Sequence, residues 1–157
     1  MPDIKQIIKD LTLEEKVELL SGVDAWQTNK IDRLGIPSIK MSDGPNGVRG
    51  DGNSGKSSAC FPCAISIGSS WNLNLIKTLG EELASEAQLK DVDVLLGPTI
   101  NIHRHPLGGR HFECFSEDPF LTGKIAIEYV KGVQSKNIAA CLKPVSYTHL
   151  TLPTMFE

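Results

Sequence analysis

Asp43, Arg49, Arg110 and Lys143 are the residues of this chain whose types suit one shared piece of chemistry. A carboxylate accepts hydrogen bonds from hydroxyls, and guanidinium and ammonium groups donate to the same hydroxyls. One acidic and three basic side chains around a common space would therefore suit a polyhydroxylated ligand. Asp43 and Arg49 lie in "SDGPNGVRG", and Arg110 follows the paired glycines of "PLGGR". Glycines at 44, 47, 50, 108 and 109 would let backbone approach a ligand closely. The competing reading is an ion pair between Asp43 and Arg49 that stiffens a surface loop and binds nothing.

Other patterns invite sharper readings that their context weakens. "GDGNSGKS", Gly50 to Ser57, fits the phosphate-binding pattern G-x-x-x-x-G-K-[ST]. That mechanism needs a strand directly before the loop and a helix directly after it. Here the preceding apolar run ends at Ser42, and Pro62 interrupts any helix begun at Ser57. "CFPC" places Cys60 and Cys63 at dithiol spacing, yet no amphipathic pattern begins at Cys60 to lower its pKa. Cys114 and Cys141 are single, so a second close pair for zinc is missing. His103, His105 and His111 could suggest a metal, but no carboxylate at helical spacing completes a set; they read as residues that fix a structured loop. Glu113 and Asp118 could suggest paired carboxylates. Asp118 reads better as a helix cap, and Glu113 as the partner of a nearby arginine or backbone amide.

The elements that must position these groups alternate. Thr12 and Glu15 form a capping-box pattern ahead of Leu13, Val17 and Leu20, with Gly22 as a stop. Ile36 to Met41 reads as a strand ended by strong turn chemistry, and Ala64 to Ile67 as another short strand. Asn72 or Asn74 caps a helix to about Lys90, with Ile76, Leu79, Leu83 and Ala87 on one face. Val92 to Leu96 reads as a buried strand, followed by a long loop from Thr99 to Glu117. Asp118-Pro119 opens a third helix with Leu121, Ile125, Tyr129 and Val133 inward, and Ile138 to Leu142 is a further strand. Helices between strands predict a parallel α/β sheet, whose ligands sit beyond the carboxyl ends of the strands. Asp43 follows the first clear strand, Arg110 lies in the loop after the second, and Lys143 follows the third. This topology puts all three on one face.

The chain of 157 residues, 40% hydrophobic and 22% charged, is long enough for a domain with a core. A net charge of −3 offers no basic footprint for nucleic acid or an anionic membrane. No apolar run is long enough to span a bilayer, and the first residues are charged throughout. The expectation is a cytoplasmic protein with reduced thiols, without cofactor or metal, acting on a small molecule.

Four stretches, "SDGPNGVR", "FPCAISIGSSWN", "LLGPTINIHRHPLGGRHFECFSEDP" and "AACLK", occur in an order and spacing that resembles the N-terminal domain of glycoside hydrolase family 3, in its β-glucosidase branch. The resemblance covers residues 10 to 143. It implies the N-terminal part of a (β/α)8 TIM-barrel-like domain, truncated, which in the family is followed by an α/β sandwich. It implies retaining hydrolysis of terminal β-glucosides through a covalent intermediate. It also implies a pocket for the non-reducing sugar lined by Asp43, Arg49, Arg110 and Lys143. Contacts of this kind can hold a sugar in a distorted geometry and lower the barrier.

The departures are as informative. The family's lysine is followed by histidine, whereas Lys143 precedes Pro144 and "VSYTHLTLPTMFE". The aspartate nucleophile and the glutamate acid/base of the family belong to later segments, so no catalytic residue is expected within these 157 residues. The expectation is residues 1–143 as a partial barrel domain and 144–157 as a non-family, artefactual tail. The chain alone should then be inactive and poorly soluble. The alternatives are a non-catalytic sugar-binding module and a phosphate-loop nucleotide binder.

Overall fold

The computed structural model describes residues 3–50 and 56–145, and the chain divides into two compact units, Met1–Met41 and Ser42–Glu157. In the first unit, Asp3 caps helix α1 (Ile4–Asp10), and Thr12 caps helix α2 (Leu13–Glu18) in a complete capping box with Glu15. Arg33 grips the Glu15 carboxylate through Nε at 2.6 Å and donates to the Asp10 carbonyl at 2.8 Å. This pairing holds the Glu15 carboxyl down at about 2. Arg33 lies in a 3-10 turn, Asp32–Leu34, that ends on left-handed Gly35. The expected strand from Ile36 is mostly extended chain making single bridges, Ile31 to Ile36 and Gln27 to Lys40. Only Met41–Ser42 forms strand β1.

The second unit is α/β. Helix α3 (Ala64–Gly68) and helix α4 (Leu73–Leu89) lead from β1 to β2 (Val94–Leu95), and helix α5 (Pro119–Gln134) leads from β2 to β3 (Ala139–Ala140). The sheet order is β1-β2-β3, with β2 and β3 parallel in the register Val94 to Ala139 and Leu95 to Ala140. Asn72, rather than Asn74, caps α4, its Oδ1 accepting from the Leu75 amide at 3.1 Å. Asp118 caps α5 by accepting from Phe120 and Leu121, with Pro119 in the first turn. Asn137, at φ 61°, turns the chain from α5 toward β3.

The core lies where α4, α5 and the sheet meet. Ile76, Leu83, Leu95, Ile125 and Val133 are fully buried there. Each contributes about 1.5–3 kcal/mol by leaving water. The helices approach closely because both carry glycine at the crossing. A Cβ on Gly80 would sit 2.5 Å from the Tyr129 carbonyl oxygen, and one on Gly132 would overlap the Lys77 carbonyl.

Ala64 to Ile67, expected as a strand, is helical. Ala64, Ile67 and Gly68 are its buried positions, spaced three and four apart, and Gly68 seats against the Phe115 carbonyl. Four residues, Ala-Ile-Ser-Ile, are too few to distinguish strand from helix by period alone, and their neighbours decide. Beside β3, Ile100, Ile102, Ala126, Ile127, Val130 and Leu142 line an apolar groove of about 550 Å³. Val145 is buried, and the Asn101 side chain brackets its backbone, donating to its carbonyl at 2.6 Å. Among the described residues no helix is long and apolar enough to cross a membrane.

Candidate active-site cleft

All four candidate residues open onto one cleft of about 350 Å³, shared with Gly44, Asn46, Gly47, Cys60 and Glu113. The sheet supplies the geometry. Asp43 directly follows β1. Lys143 continues beyond β3 and bridges in parallel to Thr99, its amide donating to the Pro98 carbonyl at 3.0 Å. Arg110 precedes a 3-10 turn, His111–Glu113, in the loop between β2 and α5. The carboxyl ends of three strands thus deliver Asp43, Arg110 and Lys143 to one side of the sheet.

Asp43 is the hub. Its Oδ1 accepts from Lys143 Nζ at 2.7 Å, across 100 residues of chain, while Arg49 stands off at 3.9 Å from Oδ2. The loop ion pair that competed with a ligand site is therefore the longer of the two contacts. Burial pushes the Asp43 carboxyl up, but the Lys143 hydrogen bond, the Gly44 amide and the charges of Lys143 and Arg49 outweigh it. The net result is a carboxyl held below its ordinary value. Asp43 is thus an anion suited to accept hydrogen bonds from hydroxyls. Arg110 is fixed by Glu113 through a bidentate pair, Nε to Oε1 at 2.6 Å and a terminal nitrogen to Oε2 at 2.7 Å. Glu113 orients the arginine, as expected, and such forked pairs fix direction as well as charge.

The loop that carries Asp43 and Arg49 turns at Gly44 and Gly47, which hold φ of 116° and 155°. A Cβ on Gly47 would overlap the Ala59 carbonyl, so only glycine lets the two arms of the cleft lie this close. Asn46 stitches the same arms together, donating to the Pro62 carbonyl at 2.5 Å and accepting from the Phe61 amide at 2.8 Å. Tyr129 of α5 donates its hydroxyl to the Pro45 carbonyl at 2.9 Å. Sequence patterning identified Tyr129 as a core residue but gave no sign of this second task.

The remaining patterns resolve as loop structure. His103 Nε2 lies 2.9 Å from the His111 carbonyl and 3.0 Å from that of Cys114, and its ring stacks on His111. Burial, with His103 and His105 nearby, lowers the His111 pKa. Among the described residues no three His, Cys, Asp or Glu side chains gather as metal ligands, and the four cysteines are free. A helix does begin near the dithiol pattern, but Cys63, not Cys60, stands at its N-cap. Residues 51–55 of the phosphate-loop pattern lie outside the described residues. After them, 56–63 is not helical, so the required following helix is missing there.

Residues 2–146 match the model of the glycosyl hydrolase family 3 N-terminal domain. A β-glucosidase of Rhizobium radiobacter is 53% identical over 142 residues, spanning 89% of this chain and 17% of the relative. A probable β-glucosidase J of Neosartorya fischeri is 56% identical over 141 residues, spanning 89% and 16%. The β-glucosidase of Kluyveromyces marxianus in complex with glucose superposes with a TM-score of 0.86 at 47% identity, over 91% of this chain and 17% of that one. β-Glucosidase 3B of Thermotoga neapolitana in complex with glucose gives 0.80 at 39% identity, over 88% and 22%. The chain therefore spans about a sixth of the length of the curated relatives it resembles. The parallel β-α-β order, the strand-end cleft and these matches agree on the amino-terminal part of a TIM-barrel-type domain, and the chain belongs to glycosyl hydrolase family 3.

Proposed function

We propose that this chain contributes the terminal-sugar pocket of a β-glucosidase, with Asp43, Arg49, Arg110 and Lys143 as the sugar-binding residues. The observation that carries the reading is the meeting of all four in one cleft around a short Asp43–Lys143 ion pair. Asp43 accepts from two sugar hydroxyls away from the bond being cut, and the three cations donate to hydroxyls around the ring. The parent reaction is retaining hydrolysis of terminal β-D-glucosyl residues in the cytoplasm, with nucleophile and acid/base outside residues 1–157. Two carboxyl groups are the minimum for that reaction. The cleft offers Asp43, engaged with Lys143, and Glu113, engaged with Arg110, and neither is placed for proton transfer. Residues 1–143 are the family domain in this reading, and 144–157 a separate segment. The expected result is glucose binding by the purified chain in calorimetric titration, abolished in Asp43→Ala, with no turnover of an aryl β-glucoside. Turnover above a control preparation, or glucose binding that survives Asp43→Ala, would overturn the proposal.

A further inference from the structure

Two charged side chains at the C-terminal end of α4, Glu86 in its last turn and the capping residue Lys90, act on the cleft from behind, without lining it. Glu86 Oε2 accepts from the Val48 amide at 2.8 Å, and its Oε1 accepts from the Ala59 amide. Lys90, one turn further on and 3% exposed, donates to the Val48 carbonyl and to Ser58 Oγ. Ser58 Oγ also donates to the Val48 carbonyl at 2.6 Å. One carboxylate and one ammonium, at i and i+4 of the same helix end, therefore grip the same two strands of loop. One is the arm that carries Asp43 and Arg49; the other is the arm that carries Cys60 and Phe61. Val48 is fully buried between them, held by its amide and by its carbonyl.

We propose that Glu86 and Lys90 form a charge clamp that positions the Asp43–Arg49 loop for ligand. The buried amide and carbonyl of Val48 need partners, and apolar neighbours alone would leave those bonds unmade. A charged partner makes the stronger bond and fixes direction. The clamp lies one residue from Arg49 and one from Cys60, both of which line the cleft. It sets the gap between the two arms, and Gly47 at the Ala59 carbonyl marks how narrow that gap is. Neither residue lines the cleft, so both are positioning residues. The clamp rests on the sugar-cleft reading only for the identity of the ligand.

The test compares the unaltered chain with Glu86→Gln, Glu86→Ala and Lys90→Met. Glu86→Gln keeps an acceptor for one amide. Two readouts are taken well below each melting midpoint: glucose affinity by calorimetry, and hydrogen exchange across residues 43–50 and 58–62. The expected result is about a tenfold loss of glucose affinity in Glu86→Ala, partly restored in Glu86→Gln. Faster exchange should be confined to the two arms. A residue that served stability alone would lower the midpoint and leave both readouts unchanged, and that outcome would overturn the clamp. If the unaltered chain binds no glucose while Glu86→Ala still frees both arms, the sugar reading fails and the clamp stands.

Discussion

Replacing Lys143 with methionine keeps the length and much of the apolar stem of the side chain but removes the ammonium that Asp43 holds at 2.7 Å. The size of the effect follows from exposure. The two side chains are 23% and 32% exposed, so the pair is neither a surface pair nor a buried one. Surface pairs contribute about 0–1 kcal/mol, and stripping a partner from a fully buried charge costs about 3–5 kcal/mol. For this pair the expected loss is about 1–2 kcal/mol at neutral pH, softened by solvent and by Arg49 nearby. The pH dependence gives the more decisive signature. Burial alone would raise the Asp43 carboxyl, but Lys143, the Gly44 amide and Arg49 bring it below the ordinary value of 3.8. The unfolded chain therefore takes up the proton first as pH falls. The stabilisation is whole above 3.8 and is lost as pH falls through the lower folded value. Urea unfolding followed by far-UV circular dichroism should show the gap between unaltered chain and Lys143→Met at pH 7 and its closing near pH 2. An equal gap at both pH values would mean that the methionine merely packs badly. No gap at pH 7 would mean that the pair contributes nothing to the fold.

Gly80→Ala should cost about 1–2 kcal/mol, because the overpacking penalty of about 1–3 kcal/mol exceeds the helix gain of about 0.5–1 kcal/mol; a raised thermal midpoint would refute the close α4–α5 crossing. Glu15→Gln should flatten the acid side of the stability profile of the first unit. The advantage of the unaltered chain is present above the ordinary glutamate value of 4.5 and fades as pH falls through about 2, measured by helix content against pH. An unchanged profile would show that Arg33 does not hold Glu15 in solution. Resequencing the source DNA across the codon for Lys143 should read histidine next, and Pro144 confirmed on independent DNA would contradict the reading of 144–157 as foreign.

Much of this was legible because local chemistry decides helix starts. The Thr12–Glu15 box and the Asp118-Pro119 start each specify their own terminus, and both appear where the pattern puts them. The convergence of Asp43, Arg110 and Lys143 was legible for a different reason: it follows from topology, which alternating patterns fix more firmly than strand boundaries. Strand lengths were not legible. Ile36 to Met41 has the composition of a strand, but only its end finds a ladder partner, since pairing depends on distant segments. Helix α1 went unread although Asp3 and the isoleucines at 4, 7 and 8 carry its signal, because none of its residues is buried and the pattern is short. Glu86 and Lys90 were illegible in principle. On a helix of this pattern, a charge beside the apolar stripe looks like any solvated face, and only the fold shows that a loop lies over it.

The most direct test of the central claim is a crystal structure of the chain soaked with glucose. One sugar should occupy the cleft, with the Asp43 carboxylate accepting from its hydroxyls and Lys143, Arg49 and Arg110 donating to hydroxyls around the ring. Glucose bound elsewhere, or an empty cleft at saturating glucose with the Asp43–Lys143 pair undisturbed, would contradict that claim.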